Sequence, residues 1–312
     1  MKYFNSGHFK VNEEDNNGIQ NSNLSHKKIM IIGGWDGEKR LANVEILDLD
    51  AGNWKVLKNL SIPRSYHCAV ELNGKIYCLG GRNADDLLND VERFDIQKDE
   101  WYKETFLNEP RECFTAVTYK NRICAFGGRT KDYTELETVE TYDPRVGKWE
   151  YLPSMKKSRH RFGTVIKDNS IYAIGGRNAE TVEIFDIRTN TWRYGPKLNF
   201  RMPYQVNAVI SNNGDIFTIV NYRGREYLSV LIYNEWKSII SKKCISYKRS
   251  QCNLCIGSTV YSLGGQCDNE NKILNAIETL DVTSINNMPN KYTTAKFYLK
   301  RPTAHFAAVV FP

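Results

Sequence analysis

Three arginine side chains follow pairs of glycines at nearly constant spacing, at positions 82, 129 and 177. A guanidinium group is permanently charged, and its planar fork of N–H donors matches the geometry of a carboxylate or a phosphate. Tyrosine and tryptophan side chains occur in the same set of loops, and arginine with these aromatics is the composition typical of interface hot spots. The pattern therefore predicts a surface that binds an anionic group.

The same loops contain further candidates for partner contacts. We expect contacts at Arg82, Arg129 and Arg177, and beside them at Trp35, Arg64, Tyr66, Arg111, Arg159, Arg161, Tyr204, Tyr222 and Arg223. The first three are favoured over Arg64, Arg111 and Arg159, because that second set recurs where it can pair with repeated glutamates. Acidic residues in these loops reduce the positive field: Asp36, Glu38, Asp85, Asp86, Asp132, Glu135 and Asp268.

The elements that position these side chains follow from the glycine pairs, which recur at 33–34, 80–81, 127–128, 175–176 and 264–265. Such a period indicates one supersecondary unit repeated along the chain. One complete unit offers strands at 66–72, 75–79, 91–96 and around Trp101, and Asn73-Gly74 is a two-residue hairpin signal. We name the four strands A to D. The unit is therefore predicted to be a four-stranded antiparallel blade, with its B–C and D–A loops on one face.

Counting these units predicts an all-β protein with six blades. Blade 5 has Val220-Asn221 in place of a glycine pair, and the final segment matches strand A, with His305 aligned to His67. That final strand would complete blade 1 and remove an open sheet edge. The predicted boundaries are a disordered polar segment at 1–28 and a propeller at 29–312, with blade 1 at 29–60 plus 302–312, and blades 2 to 6 at 61–107, 108–154, 155–198, 199–243 and 244–301.

The motif IYCLGG at 76–81, followed by VERFD at 91–95 and Trp101, resembles the Kelch repeat. The resemblance implies a six-bladed Kelch β-propeller. Similar propellers select substrates for cullin-3 ubiquitin ligases in BTB-Kelch proteins, where an N-terminal BTB and BACK region contacts the ligase. The 28 polar residues ahead of the repeats are too few for such a region, so no direct cullin-3 recruitment is expected. In this respect the chain resembles truncated Kelch-like proteins of poxviruses.

The function expected from these features is non-catalytic binding of a partner protein, through an acidic peptide segment, on the B–C/D–A face. One alternative is an actin-binding Kelch protein, and another is a degenerate Kelch-type enzyme. Catalysis is disfavoured because the sequence has five histidines without a catalytic motif, and His67 and His305 are assigned to a position that is Phe114 and Phe162 in other blades. No cofactor or metal is expected, and Cys252-x-x-Cys255 is placed on a strand.

The composition of the chain disfavours several classes of binding partner and cellular location. The 312 residues carry a net charge of +7 but no lysine-rich run, so nucleic-acid binding is disfavoured. No stretch of 18 apolar residues and no leader sequence is found, so neither a membrane nor secretion is expected. Cysteines within apolar runs favour a reducing compartment. We therefore expect a monomeric cytoplasmic protein.

Overall fold

A computed structural model describes residues 27–177, 179–200, 203–222, 225–243, 248–267, 272–283 and 293–311. The polar segment predicted to be disordered lies almost entirely outside these ranges, since the description starts at residue 27. Every regular element in the described ranges is a β-strand. Within the same ranges, no helix has the length and apolar character needed to cross a lipid bilayer.

Six four-stranded antiparallel sheets form the blades of a propeller, which confirms the predicted fold. The strands of blades 1 to 3 are β1 (Lys28–Trp35), β2 (Arg40–Asp48) and β3 (Trp54–Val56); β4 (Cys68–Leu72), β5 (Lys75–Leu79), β6 (Val91–Asp95) and β7 (Glu100–Lys103); β8 (Thr115–Tyr119), β9 (Arg122–Phe126), β10 (Val139–Asp143) and β11 (Lys148–Leu152). Blade 4 contains β12 (Gly163–Lys167), β13 (Ser170–Ile174), β14 (Val182–Asp186) and β15 (Thr191–Tyr194).

Blades 5 and 6 keep the same order despite weaker sequence signals. Their strands are β16 (Val206–Ile210), β17 (Ile216–Tyr222), β18 (Arg225–Ile232) and β19 (Glu235–Lys243); β21 (Cys252–Ile256), β22 (Thr259–Leu263), β25 (Ala276–Asp281) and β26 (Thr293–Tyr298). A small additional sheet is formed by β20 (Lys248–Arg249), β23 (Gln266–Cys267) and β24 (Lys272–Ile273). The degenerate fifth repeat therefore still makes a complete blade.

The ring is closed by the last strand, β27 (Ala307–Phe311), which pairs antiparallel with β1. The sheet order of blade 1 is β27-β1-β2-β3, so the C-terminal strand supplies its strand A. Val309 and Phe311 pack in one core cluster with Met30 and Ile32. Each strand A contacts the strand A of the next blade, and β21 contacts β27, so the six inner strands surround a central channel.

The cores lie between consecutive blades, where tryptophans bind the preceding linker. The indole N–H groups donate to carbonyl oxygens of the preceding D–A linkers, from Trp101 to Lys58 (2.9 Å), Trp149 to Thr105 (3.0 Å), Trp192 to Pro153 (2.7 Å) and Trp236 to Pro196 (3.0 Å). A buried indole that both packs and donates is well suited to this role. The repeated tryptophans therefore fix the spacing of the blades.

The glycine pair at the end of each strand B makes room for the next blade. At Gly127 the backbone φ is +56°, and a Cβ atom would lie 2.5 Å from the carbonyl oxygen of Arg159. At Gly128 φ is +99°, and a Cβ atom would lie 2.8 Å from the carbonyl oxygen of Glu112. Both the conformation and the close approach require glycine. The pair therefore belongs to the scaffold.

The alignment of His305 with His67 is wrong by one position. β27 begins at Ala307 and β4 begins at Cys68, so His305 is the counterpart of Tyr66, and Phe306 takes the place of His67. Tyr66 and His305 also share a left-handed backbone, with φ of 57° and 54°. The alignment of the two histidines did not take account of this turn ahead of the strand. In the correct register the His305 side chain lines the channel, whereas His67 is buried.

His67 itself is buried, and its substitution by phenylalanine is expected to make stability less sensitive to acid. Burial, followed by the Arg64 charge, lowers the pKa of His67 to about 3. The unfolded chain therefore binds one more proton than the folded chain as the pH falls from about 6.5 towards 3. This proton uptake lowers the unfolding free energy by up to about 1.4 kcal/mol per pH unit. Phe114 and Phe162 at this position show that His67→Phe fits the fold.

When the pH is lowered from 7.5 to 5, the wild type should therefore lose about 2 kcal/mol more unfolding free energy than His67→Phe does. Urea denaturation at the two pH values measures this difference. An identical pH dependence of both proteins would show that His67 does not titrate in this way.

Candidate functional site

Arg64, Arg111 and Arg159, three of the predicted contact residues, are fully buried. Their guanidinium groups pair with equally enclosed glutamates, Arg64 with Glu92 at 2.6 Å, Arg111 with Glu140 at 2.5 Å and Arg159 with Glu183 at 2.5 Å. Each also donates from Nη1 to the carbonyl oxygen of the first glycine of a pair: Gly80 (3.0 Å), Gly127 (2.7 Å) or Gly175 (2.8 Å). These arginines are enclosed by protein, so the expectation that they contact a partner is corrected to a structural role.

Residues that directly follow the glycine pairs lie on the B–C/D–A face, next to the entry of strand A. Arg82 forms a backbone bridge with Ser65, and Arg129 forms one with Glu112. The main-chain N–H of Arg177 donates to the carbonyl oxygen of His160 (2.9 Å). Trp35 forms a backbone bridge with Ala304. The backbone therefore places the equivalent positions of blades 1 to 4 around one opening.

Arg82 and Arg129 share a buried carboxylate that the sequence reasoning missed. Glu112 is 1% exposed, and its Oε1 lies 2.6 Å from Nη2 of Arg129, while its Oε2 lies 3.6 Å from Nη1 of Arg82. The Arg129 guanidinium also lies over the ring of Tyr133, 4.7 Å from its centroid. No recurring sequence signal marks Glu112, because the equivalent residues are Ser65 in blade 2 and His160 in blade 4. Much of the charge of these two arginines is therefore neutralised within the protein.

Arg161 and Arg177 form a cluster with two tyrosines. The Arg161 guanidinium lies 4.6 Å from the ring centroid of Tyr204 and 5.8 Å from that of Tyr66, and Arg177 lies 5.5 Å from Tyr204. Arg177 is exposed, and neither arginine is ion-paired with a carboxylate within the described part of the chain. Aromatic faces stabilise a guanidinium without occupying its N–H donors. At Arg177 these donors are available to an incoming anion, whereas Arg161 also hydrogen-bonds the Cys113 side chain and its Nε is buried.

A belt of hydrogen bonds surrounds the mouth of the channel just below this cluster. Five residues at the entry of strand A have positive φ angles, namely Tyr66, Cys113, Arg161, Ser250 and His305. Their main-chain N–H groups, and that of Val206, donate to the neighbouring blade, from Tyr66 to His305 (2.9 Å), Cys113 to Tyr66 (3.0 Å), Arg161 to Cys113 (2.9 Å), Val206 to Arg161 (3.0 Å) and His305 to Ser250 (3.1 Å). The Ser250 N–H donates to the side-chain Oε1 of Gln205 (3.0 Å), which completes the circle.

The belt opens onto a channel cavity of about 350 Å³ lined by the strand A residues of all six blades. Tyr66 and His305 share a hydrogen bond across its mouth, with the tyrosine hydroxyl 3.1 Å from Nε2. Burial raises the pKa of Tyr66, so its hydroxyl stays protonated. Among the described residues, no group of three or more His, Cys, Asp or Glu side chains is arranged to hold a metal ion.

The carboxylate of Glu135 lies beside His160 on the same face. Glu135, in the B–C loop of blade 3, has its Oε1 3.0 Å from Nδ1 of His160. Burial, followed by the charge of Arg129, lowers the pKa of His160 to about 4. The His160–Glu135 contact was missed because a histidine in the D–A loop and a glutamate in the B–C loop are adjacent only after the blades pack.

The remaining predicted contacts are less central or lie outside the described residues. Trp35 is on the face but near Arg40, whose guanidinium lies 5.6 Å from the indole centroid. Burial and the charge of Arg82 lower the pKa of Arg40. Arg223 and the side chain of Tyr222 lie outside the described part of the structure.

Comparisons with known proteins agree with this architecture. The family model described as the KLHDC2/KLHL20/DRC7 Kelch-repeats domain matches residues 20–202, more than half of the chain. A sequence search of curated proteins found no match. A solved structure described as "Structure of YjhT" has a TM-score of 0.68 and 15% sequence identity, and the match covers 85% of this chain and 97% of that chain. At this identity the likeness concerns the fold alone. By its repeats and its family match, the chain belongs to the KLHDC2/KLHL20/DRC7 Kelch-repeat family.

Proposed function

We propose that this chain is a non-catalytic interaction module that binds an acidic peptide segment of a partner protein at the mouth of its channel. The Kelch propeller is a fold consistent with protein interaction. The observation that carries the proposal is the cluster of Arg161, Arg177 and Tyr204, with separations of 4.6 and 5.5 Å between the guanidinium carbons and the tyrosine ring.

Carboxylate chemistry suits this cluster for two reasons. A guanidinium that lies over an aromatic ring does not spend its N–H donors on that contact, so a carboxylate can accept two of them. Glu112 already shows this preference within the protein, since its Oε1 lies 2.8 Å from Nε and 2.6 Å from Nη2 of Arg129. An acidic side chain of a partner would reproduce at Arg161 and Arg177 the pairing that Glu112 makes at Arg129.

Replacing Arg161 and Arg177 together by glutamine is expected to weaken binding of an acidic peptide roughly 30-fold or more, because each charged hydrogen bond contributes about 1.5–3 kcal/mol. Glutamine keeps part of the side-chain stem, so packing against the tyrosines is largely retained. Fluorescence anisotropy with a labelled, capped hexaglutamate peptide at low salt measures the dissociation constant.

The matched control is Arg145→Gln with Arg188→Gln. These arginines lie in C–D turns on the opposite face, and their side chains are 74% and 64% exposed. The control pair removes the same charge and should leave affinity within about twofold, since distant exposed charges are screened by salt. Equal weakening by both pairs, or no binding of hexaglutamate by the wild type, would contradict the proposal.

A further inference from the structure

Glu135 differs from Glu112, the buried carboxylate on the B–C/D–A face. Glu112 is almost fully enclosed and is held by Arg129, so it is part of the scaffold. The Glu135 side chain is 33% exposed, and within the described residues no guanidinium forms an ion pair with it. Burial raises the pKa of Glu135, although the charges of Arg177 and Arg129 act in the opposite direction and favour its ionised form.

His160 does not neutralise this carboxylate. It lies 3.0 Å from Glu135, but burial and the charges of Arg129, Arg161 and Arg177 keep its pKa at about 4. The imidazole is therefore uncharged at neutral pH and leaves the charge of Glu135 uncompensated. The backbone bridge between Arg129 and Glu135 holds the loop in the same place. A negative charge is thus positioned beside the arginines without being paired to one.

We propose that Glu135 is a specificity-determining residue that competes with the partner's carboxylates for the field of Arg129 and Arg177. This inference rests on the proposed function and refines it. A partner carboxylate bound at Arg161 and Arg177 approaches a like charge at Glu135, which lowers affinity for uniformly acidic segments. The face therefore favours a segment in which a hydrogen-bond donor, rather than a second carboxylate, lies next to Glu135.

Binding of the labelled hexaglutamate peptide to three variants tests this inference. Glu135→Gln removes the charge and is expected to tighten binding roughly three- to tenfold, the range for one like charge several ångströms away in a partly screened site. Glu135→Asp keeps the charge and should bind like the wild type. Glu150→Gln, an exposed position on β11 of the same blade, is the control for net charge and should also bind like the wild type.

Each outcome decides the question. Tighter binding by Glu135→Gln alone, measured against a wild type that binds, supports the inference. Unchanged or weaker binding by Glu135→Gln, while the wild type binds and the Arg161/Arg177 variant does not, overturns the inference and leaves the proposed function intact. If Glu135→Asp tightened binding equally, the effect would come from loop geometry. If Glu150→Gln tightened binding equally, the effect would come from net charge. Either result overturns the inference. Failure of the wild type to bind overturns both proposals.

Discussion

A chain that ends at residue 301, without the last strand, is expected not to fold into a stable propeller. The deletion removes Phe306, Val309 and Phe311, whose side chains are only 6–7% exposed. Burial of such a side chain contributes about 1.5–3 kcal/mol, so the three together approach the whole stability of a typical domain. The deletion also leaves β1 as an unpaired edge with a buried-type apolar sequence, Ile29 to Ile32, which favours aggregation.

Circular dichroism and size-exclusion chromatography of the truncated protein would measure this loss. Addition of a synthetic peptide of residues 302–312 should restore part of the folded population, because the missing strand pairs through main-chain hydrogen bonds with β1. A truncated protein that stayed monomeric and folded, with the same midpoint of thermal unfolding as the wild type, would show that the ring does not depend on this strand.

Arg159→Met is expected to lower the unfolding free energy by about 3–5 kcal/mol, because it leaves the fully buried Glu183 carboxylate without its partner at 2.5 Å. Methionine matches much of the arginine stem, so the loss comes mainly from the orphaned charge and from the lost bond to the Gly175 carbonyl. In a protein of this size the midpoint of thermal unfolding should fall by roughly 5–8 °C.

Arg188→Met is the control, since its pair with Asp186 is 3.7 Å long and the arginine side chain is 64% exposed. That change should cost less than about 0.5 kcal/mol. The double variant Arg159→Met/Glu183→Leu should recover part of the lost stability, because it replaces the pair by apolar groups. If Arg159→Met and Arg188→Met shifted the midpoint equally, the buried pair would contribute no more than a surface pair.

The fold was predictable from the sequence because its determinants are local and repeated. The glycine pairs, the Asn73-Gly74 hairpin and the tryptophans each recur with their neighbours, and six blades and closure by the final strand follow from counting them. The register of the final strand was harder to predict. His305 and His67 are chemically identical, and only the left-handed turn, with φ of 54° at His305, shows which one faces the channel.

The site was predictable only in outline. Arg159 and Arg161 are the same residue type two positions apart, yet one is fully buried on Glu183 and the other lies against Tyr204 at the channel mouth. The positive φ of 55° at Arg161 separates their directions, and no composition rule reports it. Similarly, Arg129 and Arg177 occupy equivalent positions, but only Arg129 meets Glu112. Such differences arise from neighbouring blades, which the local sequence does not specify.

The belt around the channel has a consequence for how this ring tolerates mutation. Five of its six links join main-chain atoms, so a side-chain replacement that tolerates the local backbone conformation leaves them in place. The sixth, between blades 5 and 6, depends on the Gln205 amide oxygen. A single mutation of Gln205 can therefore remove this hydrogen bond, whereas the five main-chain hydrogen bonds do not depend on one side chain. The seam between blades 5 and 6 is thus the natural place to cut the ring for a circular permutation.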